Sequence, residues 1–114
     1  MNTRHMPALG TLRERVELMR KDQTIEDAGG HADSYVSMGI VWARVRSLNG
    51  ALSAFGDGRN AKISHTIVMR FRQDLKSGDR IIYRTREFEI LSADDLNGRR
   101  AYLSCRCAEI NPTG

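Results

Sequence analysis

The sequence predicts an all-β fold, a small six-stranded antiparallel β-barrel or sandwich with one long inter-strand loop. Three observations carry that expectation. Oily and polar side chains alternate with a period of two in several stretches, most plainly in HTIVMRFR, His65 to Arg72. Turn formers punctuate the chain at short intervals, and no segment keeps a helical period for more than a turn or two. Short strands at this spacing favour closure, because a closed sheet has no exposed edge on which another chain could pair.

Each element follows in chain order. ERVELMR, Glu14 to Arg20, sets Val16 and Leu18 on one face and is a first strand. TIEDAGGHADS, Thr24 to Ser34, holds paired glycines and other turn formers and reads as an exposed loop. YVSMGIVWARVRS, Tyr35 to Ser47, is a strand with Val41, Ala43 and Val45 on one face and Ile40, Trp42, Arg44 and Arg46 on the other. NGALSAFGDGRNAK, Asn49 to Lys62, has glycines and no period, and a loop this long inside a small domain is uncommon without a role. In the strand from Ile63 to Arg72, the residues Ile63, His65, Ile67, Met69 and Phe71 form the expected inward row. DRIIYRTREFEIL reads as a hairpin turning near Thr85 and Arg86, with Ile81, Tyr83, Phe88 and Ile90 as its bulk. Asn97-Gly98 is a strong turn pair, and AYLSCRCAEI closes the chain with Leu103, Cys105 and Cys107 on one side.

Length and composition bound the function. A chain of 114 residues makes one domain, residues 1–114, with 1–11 expected as a flexible arm. The net charge is +4, and of eighteen basic side chains only Lys21, Lys62 and Lys76 are lysine. Arginine's planar donor fork suits carboxylates, phosphates and interface pairing, although an arginine-rich genome would give the same bias. No apolar run approaches the roughly 18 residues that cross a bilayer, and MNTRHMPALG lacks the apolar centre of a signal peptide, so the expected setting is a reducing cytoplasm with no membrane partner. Cys105 and Cys107 share one strand face and read as small core residues rather than as a disulfide with each other.

Chemistry is sparse. His5, His31 and His65 have no ligand spacing, so no metal is expected. Asp94 and Asp95 precede a turn, where aspartate commonly binds backbone, and His65 lies on an apolar row. GDGRN lacks the flanking strand and helix of a phosphate-binding loop. No nucleophile motif is present, so neither catalysis nor a cofactor is expected.

The order of the pieces resembles a specific family. Trp42-Ala43-Arg44-Val45, a long glycine-bearing loop, HTIVMRFR, SGDRIIYRTREFEIL, a polar turn and a closing LSCRCAE together resemble the head-tail joining proteins of tailed phages, also encoded by gene transfer agents and prophages. LRERVELMRKD, Leu12 to Asp22, fits that family's opening strand, and the likeness runs from about Leu12 to Glu109. Where the family often has glycine in the hairpin turn this chain has Thr85, which predicts a wider turn.

The resemblance implies a small β-barrel of the virion, built in the bacterial cytoplasm. It implies a six- or twelve-fold ring of this chain between a portal or adaptor ring and a tail terminator or tail tube protein, with double-stranded DNA passing through. In some members a long loop helps retain DNA until the tail docks. Here that loop is 48–62, with Leu52, Phe55, Gly56, Gly58 and Arg59 expected in the channel. Arg44, Arg46, Arg70 and Arg72 are the expected ring or partner surface, favoured over a DNA-facing role because a channel gripping phosphates would impede ejection. The competing expectation is a free nucleic-acid-binding barrel of the oligonucleotide-binding type. It would stack bases on exposed aromatics, and Trp42 beside Arg44 and Arg46 is its one candidate.

Overall fold

The computed structural model of the chain describes residues 11–25, 31–48 and 63–110. Six strands lie within them: β1 (Glu14–Ile25), β2 (His31–Ser47), β3 (His65–Arg70), β4 (Arg80–Tyr83), β5 (Arg86–Asp95) and β6 (Tyr102–Glu109). They form a closed antiparallel barrel in the order β1-β2-β3-β6-β5-β4, so the barrel rather than the sandwich is realised. The ring of strands closes where β1 pairs with β4, Val16 opposite Tyr83 and Leu18 opposite Ile81. A 3-10 turn lies at Leu96–Gly98, where Asn97 and Gly98 both take positive φ.

The alternation read from the sequence fills the interior. Val16 and Leu18 of β1, Ala43 of β2, Ile67 and Met69 of β3, Ile81 of β4, Phe88 and Ile90 of β5, and Leu103, Cys105 and Cys107 of β6 make one buried cluster. Both cysteines are free, and burial raises the Cys105 thiol to about 12 and Cys107 higher still. Thiols held protonated in an apolar core are inert packing.

Four expectations are corrected. Strands β1 and β2 run far beyond the predicted Glu14 to Arg20 and Tyr35 to Ser47, since their ladder continues to Ile25 opposite His31. β4 covers β1 only from Val16 to Met19, and β3 covers β2 only from Ala43 to Ser47, so the remainder is a two-stranded ribbon extending past the barrel. Lys21 to Thr24 and His31 to Ser34 hold no large apolar residue, and periodicity therefore could not reveal it. Second, Phe71 lies beyond the end of β3 and is half-buried, with its N–H donating to the Ala101 carbonyl at 3.0 Å. Ile63 is likewise only half-buried and precedes the strand. Third, Val68 is 2% exposed although it points outward, because Leu12 and Tyr102 cover it in a second, smaller apolar cluster. Fourth, the β4-β5 turn is tight. Tyr83 pairs with Arg86, leaving Arg84 and Thr85 as a two-residue loop, and Arg84 takes the positive φ of 61° that such hairpins require.

A β-bulge lies in the β1-β2 pair, where Leu18 faces Gly39 but Met19 faces Ser37. The extra residue, Met38, packs on the core, and Gly39 takes a φ of 107°, a conformation open to glycine.

Buried Asp79 ties the closing seam. Its carboxylate accepts the Lys21 N–H of β1 at 2.9 Å and the Lys76 N–H at 3.0 Å, while its carbonyl accepts the Ile90 N–H of β5 at 2.8 Å. At the other end of the seam the Tyr83 hydroxyl donates to the Glu14 carboxylate at 2.9 Å. Replacing Asp79 with alanine leaves two N–H groups without their charged acceptor, and urea denaturation should show a loss of about 2–4 kcal/mol. In the same assay Phe88→Ala should cost about 3–5 kcal/mol as a full core truncation, and Phe71→Ala distinctly less. Equal costs for the two phenylalanines would contradict the burial difference.

Candidate assembly surface

Residues inward on one strand face force their neighbours outward, and on β2, β3 and β6 those neighbours are basic. Ala43 is buried, so Trp42, Arg44 and Arg46 face out from β2; Ile67 and Met69 are buried, so Thr66, Val68 and Arg70 face out from β3. Cys105 and Cys107 place Arg106 outward on β6. Register aligns Arg46, Thr66 and Arg106 in one row across the three strands, and sets Arg44 opposite Val68. Among the described residues Arg44, Arg46, Arg70 and Arg106 make no ion pair.

Three of the four arginines expected at a shared surface project from these strands; the fourth, Arg72, lines the groove beside Trp42 and Arg70 but is paired locally. Arg72 lies past the end of β3 and binds Asp74 through two hydrogen bonds of 2.6 and 2.8 Å. The Asp74 hydrogen bonds raise the Arg72 guanidinium, and the same bonds hold the Asp74 carboxyl below the usual range. A locally paired arginine offers little net charge to a partner. Arg106 takes its place. The Cys-Arg-Cys alternation that put the cysteines inside also implied it, although the sequence reading looked only at the cysteines.

Arg44 differs from the rest of the set. Its Nε is buried with no hydrogen-bond partner, and burial first, then the charge of Arg46, lowers its guanidinium pKa. Next to it the surface is oily. Ile40 is 58% and Trp42 55% exposed, and the Arg15 guanidinium sits 5.8 Å from the centre of the Trp42 ring. A groove of about 310 Å³ runs between Trp42 and Arg70, floored by Leu12, Met69 and Phe71. Large exposed apolar side chains beside uncompensated charge are uncommon on a surface that faces only water.

One end of the barrel holds a polar cluster where the 48–62 segment leaves and returns. The Leu48 N–H donates to the Ser64 carbonyl at 3.0 Å. His65 is buried, with Nδ1 2.8 Å from Ser64 Oγ, Nε2 3.4 Å from the Arg86 guanidinium, and its ring edge-on to Phe88. Arg86 in turn binds both carboxylate oxygens of Glu109, at 2.9 and 2.7 Å. The channel residues expected from the sequence, Leu52, Phe55, Gly56, Gly58 and Arg59, lie outside the described residues. Among the described residues there is no group of three or more metal-ligating side chains, and no helix is long and apolar enough to cross a membrane.

Residues 7–110 match the family model of the phage head completion protein. The chain belongs to that family. Among solved structures it is similar to protein SF1141 from Shigella flexneri 2a, with a TM-score of 0.69 and 22% identity over 91% of this chain and 97% of that one. It is also similar to a chain in the virion of a native gene transfer agent particle, with a TM-score of 0.64 and 25% identity over 86% of this chain and 94% of that one. No curated protein matches it. Membership makes it a structural component of the head-tail region of a phage or phage-like virion.

The His65 cluster sets a pH limit on this virion protein. Burial, then the Arg86 charge, lowers the His65 pKa, and Glu109 only partly offsets them. The unfolded chain therefore takes up the proton first, so stability is full above the unfolded value of about 6.5 and falls as pH drops below it toward the lower folded value. Urea midpoints measured from pH 7.5 to 5.5 should decline, and His65→Gln should flatten that decline.

Proposed function

We propose that this head completion protein forms a ring between the portal or adaptor ring and the tail, and that the ring extends the channel through which double-stranded DNA passes. The observation that carries this reading is the family match over residues 7–110, joined to a barrel whose outer face has uncovered arginines and Trp42. A six- or twelve-fold ring would present that face, Arg44, Arg46 and Arg70 with Arg106, to protein neighbours. Arg72 enters it only as half of the Arg72–Asp74 pair. Turning the arginines toward protein leaves the channel free of tight phosphate grips that would slow ejection.

The segment 48–62, with Leu52, Phe55, Gly56, Gly58 and Arg59, is on this reading the part that reaches the channel and helps hold DNA until the tail binds. Leu48 and Ser64 are hydrogen-bonded to each other, so the segment can be shortened without moving a strand. Replacing 51–60 with a short Gly-Ser link should leave the thermal melt nearly unchanged, since loop length affects stability slowly. Particles carrying that variant should lose DNA or lack tails when counted by electron microscopy. A full yield of tailed, DNA-filled particles would reduce the segment to a connection.

A further inference from the structure

Among the described residues, unpaired basic and unpaired acidic side chains fall on opposite strands of the barrel. In the cyclic order β1-β2-β3-β6-β5-β4, strands β2 and β5 are three steps apart in either direction, so they lie diametrically opposite. The outward positions of β2 and its neighbour β3 carry Trp42, Arg44, Arg46 and Arg70. On β5, Phe88 and Ile90 point in, which places Glu87 and Glu89 outward, and after the register shift at Ile90/Ser92 Asp94 follows them opposite Ser104. Arg80 lies opposite Glu89 but is paired with Glu87 at 2.8 Å, and Arg106 of β6 lies opposite Ser92; Glu89 and Asp94 have no cationic partner within 4.0 Å among the described residues.

We infer that the β2-β3 face of one copy docks on the β5 face of the next, with Trp42 as the apolar anchor and Arg44, Arg46 and Arg70 against Glu89 and Asp94. This deepens the ring reading above and rests on it. Two complementary patches on opposite sides of one subunit make a head-to-tail contact, which closes into a ring when each step adds a fixed rotation. A self-complementary two-fold contact is disfavoured, because it would set arginine against arginine. An aromatic anchor flanked by arginine is the composition that dominates protein interfaces.

The test uses two charge-reversed variants in particles lacking the natural protein. Arg46→Glu/Arg70→Glu makes both faces acidic, and Glu89→Lys/Asp94→Lys makes both faces basic. All four positions lie on the surface, so thermal melts should match the unaltered protein and separate misfolding from failed docking. Each variant alone should lower the yield of tailed particles about tenfold or more, since like charges meet at every contact. An equimolar mixture should restore it, because copies alternating around an even-numbered ring again set acid against base. Variants that each assemble normally, or a mixture no better than its parts, would overturn the face assignment. Unaltered particles that hold the protein as separate copies would instead overturn the ring reading, and the assignment with it.

Discussion

The structure depends on one seam. Five of the six strand pairs join strands whose ladders any antiparallel sheet could make, but β1 with β4 turns the sheet into a barrel, and only a few residues of each strand meet there. Asp79 at one end and the Tyr83–Glu14 hydrogen bond at the other hold those residues in register. A buried carboxylate receiving backbone N–H groups is a stronger tie than a neutral contact, and it fixes the β3-β4 loop as well as the strand. Interior packing and surface placement both follow. Once β1 and β4 are joined, every inward side chain has an opposite number, and every outward one has a fixed position around the circumference.

That fixed circumference is what gives charge a direction. Net charge alone, +4 for the chain, says only that the protein is basic. Distributed around a closed barrel, it sets Arg44, Arg46 and Arg70 beside Trp42 on one side, and on the other Glu89 and Asp94 with Arg80 and Arg106 as cross-strand neighbours of β5. The second apolar cluster adds to this asymmetry, since Leu12 folds over Val68 and Tyr102 and raises the surface between β3 and β6. For a virion part whose family role is structural, such sidedness matters more than any pocket.

Much of this was legible in the sequence, for identifiable reasons. Val16, Leu18, Ile67, Met69, Phe88, Ile90, Cys105 and Cys107 were placed inside because a strand with one dry face must alternate, and all are buried. The failures occurred where that logic has no hold. Val68 broke the alternation because Leu12, outside any strand, covers it from the exterior. Phe71 fell beyond the last paired residue of β3, where the period of two no longer applies. In the ribbon of β1 and β2, Lys21 to Thr24 and His31 to Ser34 hold no large apolar residue that could have left a hydrophobic trace. At the surface, Arg72 looked equivalent to Arg70 until Asp74, two positions on, was seen to claim it, and Arg106 was hidden between the cysteines that drew attention first.

The same seam governs the order in which the chain can fold. β1 and β2 are neighbours in sequence and can pair as soon as both exist, but Val16 must wait for Tyr83 and His65 for Cys107. Contacts so distant along the chain are slow to form, because loop-closure entropy is lost before any packing is gained. During synthesis, therefore, the long β1-β2 hairpin emerges from the ribosome with Val16 and Leu18 exposed, its β2 edge open until β3 follows and its β1 edge open until β4 arrives in the C-terminal third of the chain.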